Sequence, residues 1–356
     1  MRRATSGNNY TVASFFSGCG GFDEGFRKKG FRLAFANDIW KDACESFRMN
    51  HKGVPVFQKD IHELSLQDIE EAKQRSEISE ITVAIGGPPC QCFTRLNNEH
   101  LLKKKKDARR ELFEEYINKI KIIQPRLVLM ENVRDLLARK NEKGEPYVDI
   151  IHKAFRKIGY VSYYNVLDVE KFNVPQSRKR VIFIASNDPA IIKKLKYERN
   201  RYPKESTRIP CVEQYLKRLK RVKRLRNHEI TKNTPELKIK IRHIPPGGYY
   251  EDLPENLKTK KIRNGKLVTV KRYGSYLRRL HPHKPALTIT NNYIIHPTKN
   301  RYITNREKAL LHTFRPGYKF FGSMESVSQQ IANAVPPNLA SALAAHALYL
   351  LESYYE

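Results

Sequence analysis

The chain has 356 residues, with 67 Lys and Arg against 37 Asp and Glu for a formal charge of +30. Its 40% hydrophobic content and 36 Gly and Pro residues exclude collagen-like, low-complexity and mostly disordered chains, and its length allows one long domain or two. Five irregularly spaced cysteines (Cys19, Cys44, Cys90, Cys92, Cys211) do not read as a disulfide framework, and neither an apolar leader at residues 1–11 nor a long apolar run points to export or a membrane.

From the N-terminus, short β-rich apolar runs alternate with helical patterns. Strands are predicted at 11–16, 32–36, 54–57, 81–85, 127–130, 161–167 and 181–185, and helices at 22–29, 41–49, 109–123 and 148–158. Such alternation implies a largely parallel α/β sheet covered on both faces, with ligands bound beyond the carboxyl ends of its strands. After about Asn187 the alternation stops, and Ile244-Pro245-Pro246-Gly247-Gly248 reads as turns. A domain boundary is therefore expected there. At the end of the chain, after Pro336-Pro337, Asn338 is expected to cap a helix containing Leu339, Leu343, Ala344 and Leu348 that packs back on the first domain.

The positive charge is uneven. Residues 191–284 hold 28 Lys and Arg and 8 acidic residues, a net +20 in about a quarter of the chain. A concentrated cationic lobe is suited to a polyphosphate backbone, so the expected partner is nucleic acid. Within it, Leu216, Leu219, Val222 and Leu225 recur every third residue among Lys217, Arg218, Lys220, Arg221, Lys223, Arg224 and Arg226. This reads as a basic amphipathic helix. The charge of the lobe favours phosphate contact by Lys217, Arg221 and Arg224 over a solvated face or a membrane-surface or calmodulin-type helix.

The residues closing each strand carry the chemistry. The first strand ends in Phe16-Ser17-Gly18-Cys19-Gly20-Gly21 and Asp38 closes the second, an arrangement in which a tight glycine turn admits a nucleotide-type cofactor and a carboxylate accepts both ribose hydroxyls. The third run is followed by Asp60-Ile61, where Asp60 either reaches an adenine edge or caps a helix. The fourth ends in Gly86-Gly87-Pro88-Pro89-Cys90-Gln91, a rigid turn that presents a thiol near Lys103–Lys106. A Cys90-x-Cys92 metal site lacks further ligands at close spacing, and no metal is expected. Glu131 closes the fifth run, and Arg178 and Arg180 precede the seventh.

In order along the chain, Phe16-Ser17-Gly18-Cys19-Gly20-Gly21, Pro88-Pro89-Cys90-Gln91, Glu131-Asn132-Val133, Gln176-Ser177-Arg178-Lys179-Arg180, Arg279-Leu280-His281-Pro282 through Pro285 to Thr290, and Ala332 to Pro337 resemble the motif series of the DNA cytosine-5 methyltransferases of bacterial restriction-modification type. The resemblance implies a Rossmann-like S-adenosylmethionine-dependent methyltransferase sheet with a second, smaller target-recognition domain. It divides the chain into a catalytic domain (1–187), a target-recognition domain (188–277) and a return segment (278–356). It implies S-adenosylmethionine held by Phe16, Ser17, Gly18, Gly20, Gly21, Asp38, Ile39, Asp60, Ile61, Pro89, Asn333 and Ala334. Catalysis falls to Cys90 as nucleophile, with Glu131, Arg178 and Arg180. The implied substrate is double-stranded DNA with a flipped-out cytosine, and the implied enzyme is a cytoplasmic, nucleoid-associated monomer paired with a restriction endonuclease. Departures are Asp38 where the family often has Glu, Ile39 followed by Trp40 so that either side chain could cover the adenine, and Cys92-Phe93-Thr94, which is similar to the branch that methylates tRNA.

Overall fold

The computed structural model describes residues 9–89, 112–221, 226–263, 266–270 and 277–352. Seven strands pair into one sheet: β1 (Thr11–Phe15), β2 (Arg32–Asp38), β3 (Val56–Gln58), β4 (Val83–Gly86), β5 (Leu127–Val133), β6 (Val161–Asp168) and β7 (Lys179–Ser186). Their spatial order is β3-β2-β1-β4-β5-β7-β6. The first five are mutually parallel, as the alternation predicts, whereas β7 lies antiparallel between β5 and β6. A short link joins β6 to β7, which suits antiparallel neighbours and not a helical crossover.

Helices α1 (Gly21–Lys28), α2 (Lys41–Asn50), α3 (Leu66–Arg75), α4 (Leu112–Ile123), α5 (Tyr147–Lys157) and α6 (Pro189–Lys196) accompany the sheet. The strand periodicity leaves α3 and α6 unassigned, although both carry start signals: a Ser65–Asp68 capping box, and Asp188 capping a helix with Pro189 in its first turn. The core is aromatic at the centre, where Phe15 meets Phe35 and Tyr116 edge-on. Gly86 is required there, because a Cβ on it would lie 2.6 Å from the Tyr116 ring.

The chain folds as two compact units, one drawn from residues 1–172, 179–205 and 334–356, the other from 173–178 and 206–333. These boundaries lie at Glu205/Ser206 and Asn333/Ala334, beyond the positions set by composition and motif order. Residues 188–205 stay with the sheet because Lys194 of α6 donates to the carbonyls of Tyr349, Leu350 and Glu352. The second unit contains α7 (Val212–Leu216), α8 (Pro235–His243), a two-stranded ribbon of β8 (Lys260–Arg263) and β9 (Lys266–Thr269), α9 (Asn305–Leu311) and α10 (Met324–Asn333). One of its clusters gathers Val212, Tyr215, Leu280, Ile289, Ile303 and Leu311, and another Ile241, Ile244, Tyr250, Ile295 and Tyr302.

The basic helix expected from Leu216 onward is corrected. Helix α7 stops at Leu216 and a 3₁₀ helix runs over Lys217–Arg221. The reason is visible in the spacing: a strict three-residue apolar period fits 3.0 residues per turn, not 3.6.

In the first unit, α11 (Pro337–Leu351) packs on α1, as its apolar periodicity predicts. Its cap is Pro336 with Pro337 at the first position, so Asn338 lies inside the helix and does not cap it. The stretch Met324–Leu351 is long and apolar enough by composition for a membrane span, but Pro336-Pro337 breaks it and 72% of its most apolar window is buried inside the protein.

Gly25 sets the approach of α1 to α11, since a Cβ there would come within 2.3 Å of the Ala340 Cβ and 2.5 Å of its carbonyl carbon. Helix propensity alone would favour Ala by about 1 kcal/mol, while overpacking costs about 1–3 kcal/mol or more. Gly25→Ala should therefore lower Tm by several degrees in a thermal melt. A raised Tm would show that the two helices part without cost.

Candidate functional site

Parallel pairing of β1 with β2 sets Phe15 opposite Asn37, so the turn after β1 meets the end of β2. Phe16, Gly18 and Gly20 take positive φ values of 51°, 54° and 88°, a conformation glycine adopts readily and Phe16 must be forced into. The Ser17 N–H donates to the Asn37 carbonyl at 3.0 Å and the Gly20 N–H to the Ser17 carbonyl at 2.9 Å. Asp38 then clamps the loop, accepting the Gly18 N–H at 2.7 Å on one oxygen and the Trp40 N–H at 2.9 Å on the other. Burial pushes this carboxyl above its usual range, opposed by those backbone N–H groups. Each oxygen keeps a lone pair for a further donor.

Beside this clamp Ile39 is 67% exposed, and the space over Gly18 is open, with nothing within 4 Å of a Cβ built there. A carboxylate, an exposed apolar side chain and an open glycine loop at a strand-end rim fit the ribose and base of a nucleoside. Asp60 caps the 3₁₀ turn Ile61–Glu63, accepting the His62 N–H at 3.0 Å, and that donor holds its carboxyl below the usual range. Ile61 beside it is buried. In the second unit Asn333 is exposed and accepts from Gln329 at 2.6 Å; Ala334 begins the return to the first unit.

The rim continues across β4 and β5. Glu131 is nearly buried and pairs with Arg180 at 2.7 Å. Its other oxygen would lie 3.4 Å from a Cβ on Gly87, and Asn132 donates to the Pro88 carbonyl at 3.3 Å. The carboxyl thus lies beside Gly87, two residues before Pro89. Cys90 lies outside the described residues.

Arg178 and Arg180 have different partners. Arg178 is buried in the second unit and donates to the carbonyls of Ile289 at 3.4 Å and Ala332 at 2.8 Å. Gln176, whose role no local pattern reveals, is fully buried. It accepts the Ile289 N–H at 3.0 Å, and its side-chain amide lies 3.0 Å from His312 Nδ1. Three separated motifs are therefore tied into one cluster by Gln176 and Arg178. Lys217 is 62% exposed and lies 3.1 Å from Glu213. The side chain of Arg221 and the whole of Arg224 fall outside the described residues. A cavity of about 350 Å³ lined by Arg134, Leu137, Val166, Asp168, Lys171, Lys179 and Glu205 contains none of the predicted site residues.

The family model described as C-5 cytosine-specific DNA methylase matches residues 10–348. The chain is 30% identical over 342 residues to Type II methyltransferase M1.HphI of Haemophilus parahaemolyticus, covering 94% of this chain and 85% of the relative. It is 28% identical to Type II methyltransferase M.DdeI of Desulfomicrobium norvegicum, covering 96% and 89%. Among solved structures, one described as a prophage-encoded DNA modification methyltransferase of E. coli matches with TM-score 0.75 at 21% identity, covering 97% of this chain and all of that one. The Dnmt2 methyltransferase of S. pombe matches with TM-score 0.61 at 17% identity, over 97% of this chain and all of that one.

Asp23, in the first turn of α1 just after the glycine loop, is fully buried, and burial pushes its pKa up to about 7, with the Ser14 hydroxyl opposing only in part. A carboxyl raised above its unfolded value favours the neutral form. Its contribution to stability falls as pH rises from about 4 to about 7 and stays low above that, a loss of a few kcal/mol. Urea unfolding of Asp23→Asn should therefore match wild type near pH 4 and exceed it increasingly toward pH 8. A constant difference across that range would show that Asp23 ionises normally.

Proposed function

The chain belongs to the C-5 cytosine-specific DNA methylase family and is a DNA methyltransferase, and on that premise we propose that it methylates carbon 5 of a cytosine flipped out of double-stranded DNA at a specific sequence. The names of its curated relatives support the modification half of a Type II restriction-modification system, with a restriction endonuclease as functional counterpart. It acts in this reading as a monomer on the nucleoid.

The observation that carries the reading is the Glu131 carboxyl, held by Arg180 and lying beside Gly87, three residues before Cys90 in the sequence. Cytosine carbon 5 is a poor nucleophile until something adds to carbon 6. Cys90 supplies a thiolate for that addition; carbon 5 then takes the methyl and loses its proton, and the electron pair left behind expels the thiolate from carbon 6, so that covalent catalysis divides one hard step into easier ones. Glu131 binds the ring-nitrogen side and delivers a proton to it, while Arg180 keeps the carboxyl oriented and stabilises the neighbouring charge. Arg178 is a positioning residue that holds Ile289 and Ala332. A base inside a duplex is inaccessible to the thiolate, so it must leave the stack.

S-adenosylmethionine supplies an electrophilic methyl group when bound. The loop Phe16 to Gly21 and Pro89 would hold its methionine end, Asp38 its ribose and Ile39 its adenine, with Asp60-Ile61 and Ala334 completing the site. Residues 188–277 are the proposed target-recognition segment, in which Lys217, Arg221 and Arg224 contact phosphates.

Labelled methyl transfer to DNA and to tRNA side by side tests the reading; transfer to tRNA alone would overturn it. Cys90→Ser should abolish transfer while retaining DNA binding, because a hydroxyl is a far weaker nucleophile of similar size. A duplex carrying 5-fluorocytosine at the target should trap the wild type covalently, and trapping by Cys90→Ala would remove the assignment. Asp38→Ala should weaken S-adenosylmethionine binding by about 1–3 kcal/mol in calorimetry, the cost of unpaired buried hydroxyls plus a loosened loop. Unchanged affinity would place the ribose elsewhere.

A further inference from the structure

The β8–β9 ribbon is exposed along almost its whole length. Antiparallel register sets Ile262 directly opposite Leu267, and these two side chains are 76% and 66% exposed. Alternation along the strands puts that pair on one face with Lys260 and Thr269, and puts Lys261, Arg263, Lys266 and Val268 on the other. Residues 260–269 carry four cations and no acidic residue. The neighbouring acids sit at the base: Glu255 pairs with Lys258 at 2.8 Å and accepts from Thr269 at 3.1 Å. The base is further pinned by the Val270 N–H on the Thr259 carbonyl at 2.8 Å and the Thr259 N–H on the Tyr250 hydroxyl at 2.6 Å. The result is an anchored blade with an apolar pair on one side and cations on the other.

A two-stranded ribbon standing alone is marginal in water, and an exposed apolar pair on it has nothing to gain there. DNA supplies what the ribbon lacks. The major groove is about 12 Å wide and admits such a ribbon; its floor presents the thymine methyl as an apolar feature, and its walls are phosphates. Resting on the reading of this chain as a DNA methyltransferase, we propose that the β8–β9 ribbon enters the major groove of the substrate duplex. The Ile262–Leu267 face lies on the base edges, and Lys261, Arg263 and Lys266 reach the phosphates on either side.

This division of labour makes the two faces separable. Apolar contact with base edges specifies sequence, whereas phosphate contacts position the protein without reading it. The test uses the full-length protein, plasmid DNA mapped for methylated cytosines by chemical conversion and sequencing, and binding titrations at several salt concentrations. Ile262→Ser with Leu267→Ser should reduce the ratio of methylation at preferred sites over other cytosines by about tenfold or more, with the salt dependence unchanged. Lys261→Gln, Arg263→Gln and Lys266→Gln together should keep the site map, weaken binding uniformly and flatten the logarithmic salt slope by about 2.7.

All five positions are surface side chains, and unchanged melting temperatures verify that the variants fold. Wild-type maps and slopes in both folded variants would overturn the ribbon's role and leave the methyltransferase reading intact. Aggregation of the triple variant with normal DNA behaviour would do the same, showing that the cations protect a free strand edge. No methyl transfer to any DNA by the wild type would overturn the parent reading and this one with it.

Discussion

The pairing of Glu131 with Arg180 depends on one strand running against its neighbours. In the β5–β7 register Glu131 faces Ile182 and Val133 faces Arg180, so the arginine reaches the carboxyl diagonally. Had β7 run parallel, its apolar end at Ala185-Ser186 would lie at this rim, and its basic start would lie at the opposite edge. Two nearly buried charges are tolerated only with good geometry and supporting hydrogen bonds. The 2.7 Å contact and the bond from Arg180 to the Lys179 carbonyl supply them. Strand direction thus decides which side chains can act together.

The neighbouring rim is built by the same economy of backbone. Gly86 lets the Tyr116 ring close over β4, and Gly87 lets the Glu131 carboxyl lie against the turn. At β1 and β2 a single carboxylate, Asp38, shapes the glycine loop through the Gly18 N–H, next in sequence to exposed Ile39. One carboxylate thus ties the end of β2 to the glycine loop and to the start of the next helix.

In the second unit, polar side chains take the place of a sheet. Arg279 donates to the carbonyls of Ile241, Ile244, His296 and Lys299, and Arg306 to those of Arg226 and Tyr318. Buried guanidiniums satisfy loop carbonyls that no strand partner meets. Part of this unit's positive charge, at Arg279 and Arg306, is therefore internal scaffolding, while the ribbon and Lys217 carry theirs outside. Net charge alone does not distinguish the two uses.

The seven strands, the glycine turn and the rim carboxylates were legible in the sequence because apolar alternation and Gly/Pro punctuation are local signals. Cys90 itself rests on sequence and family alone. Local signals could not by themselves establish the cap at Asp60, nor separate a 3₁₀ turn from an α-helix after Leu216. They also could not separate the partners of Arg178 and Arg180, two residues apart. Those partners are Ile289 and Ala332 for one and Glu131 for the other, and Gln176 finds His312 across 136 residues. What the sequence determined by itself was which residues close each strand. Which of them meet was decided by the tertiary structure, because long-range register and strand direction are set by packing and not by neighbours in the chain.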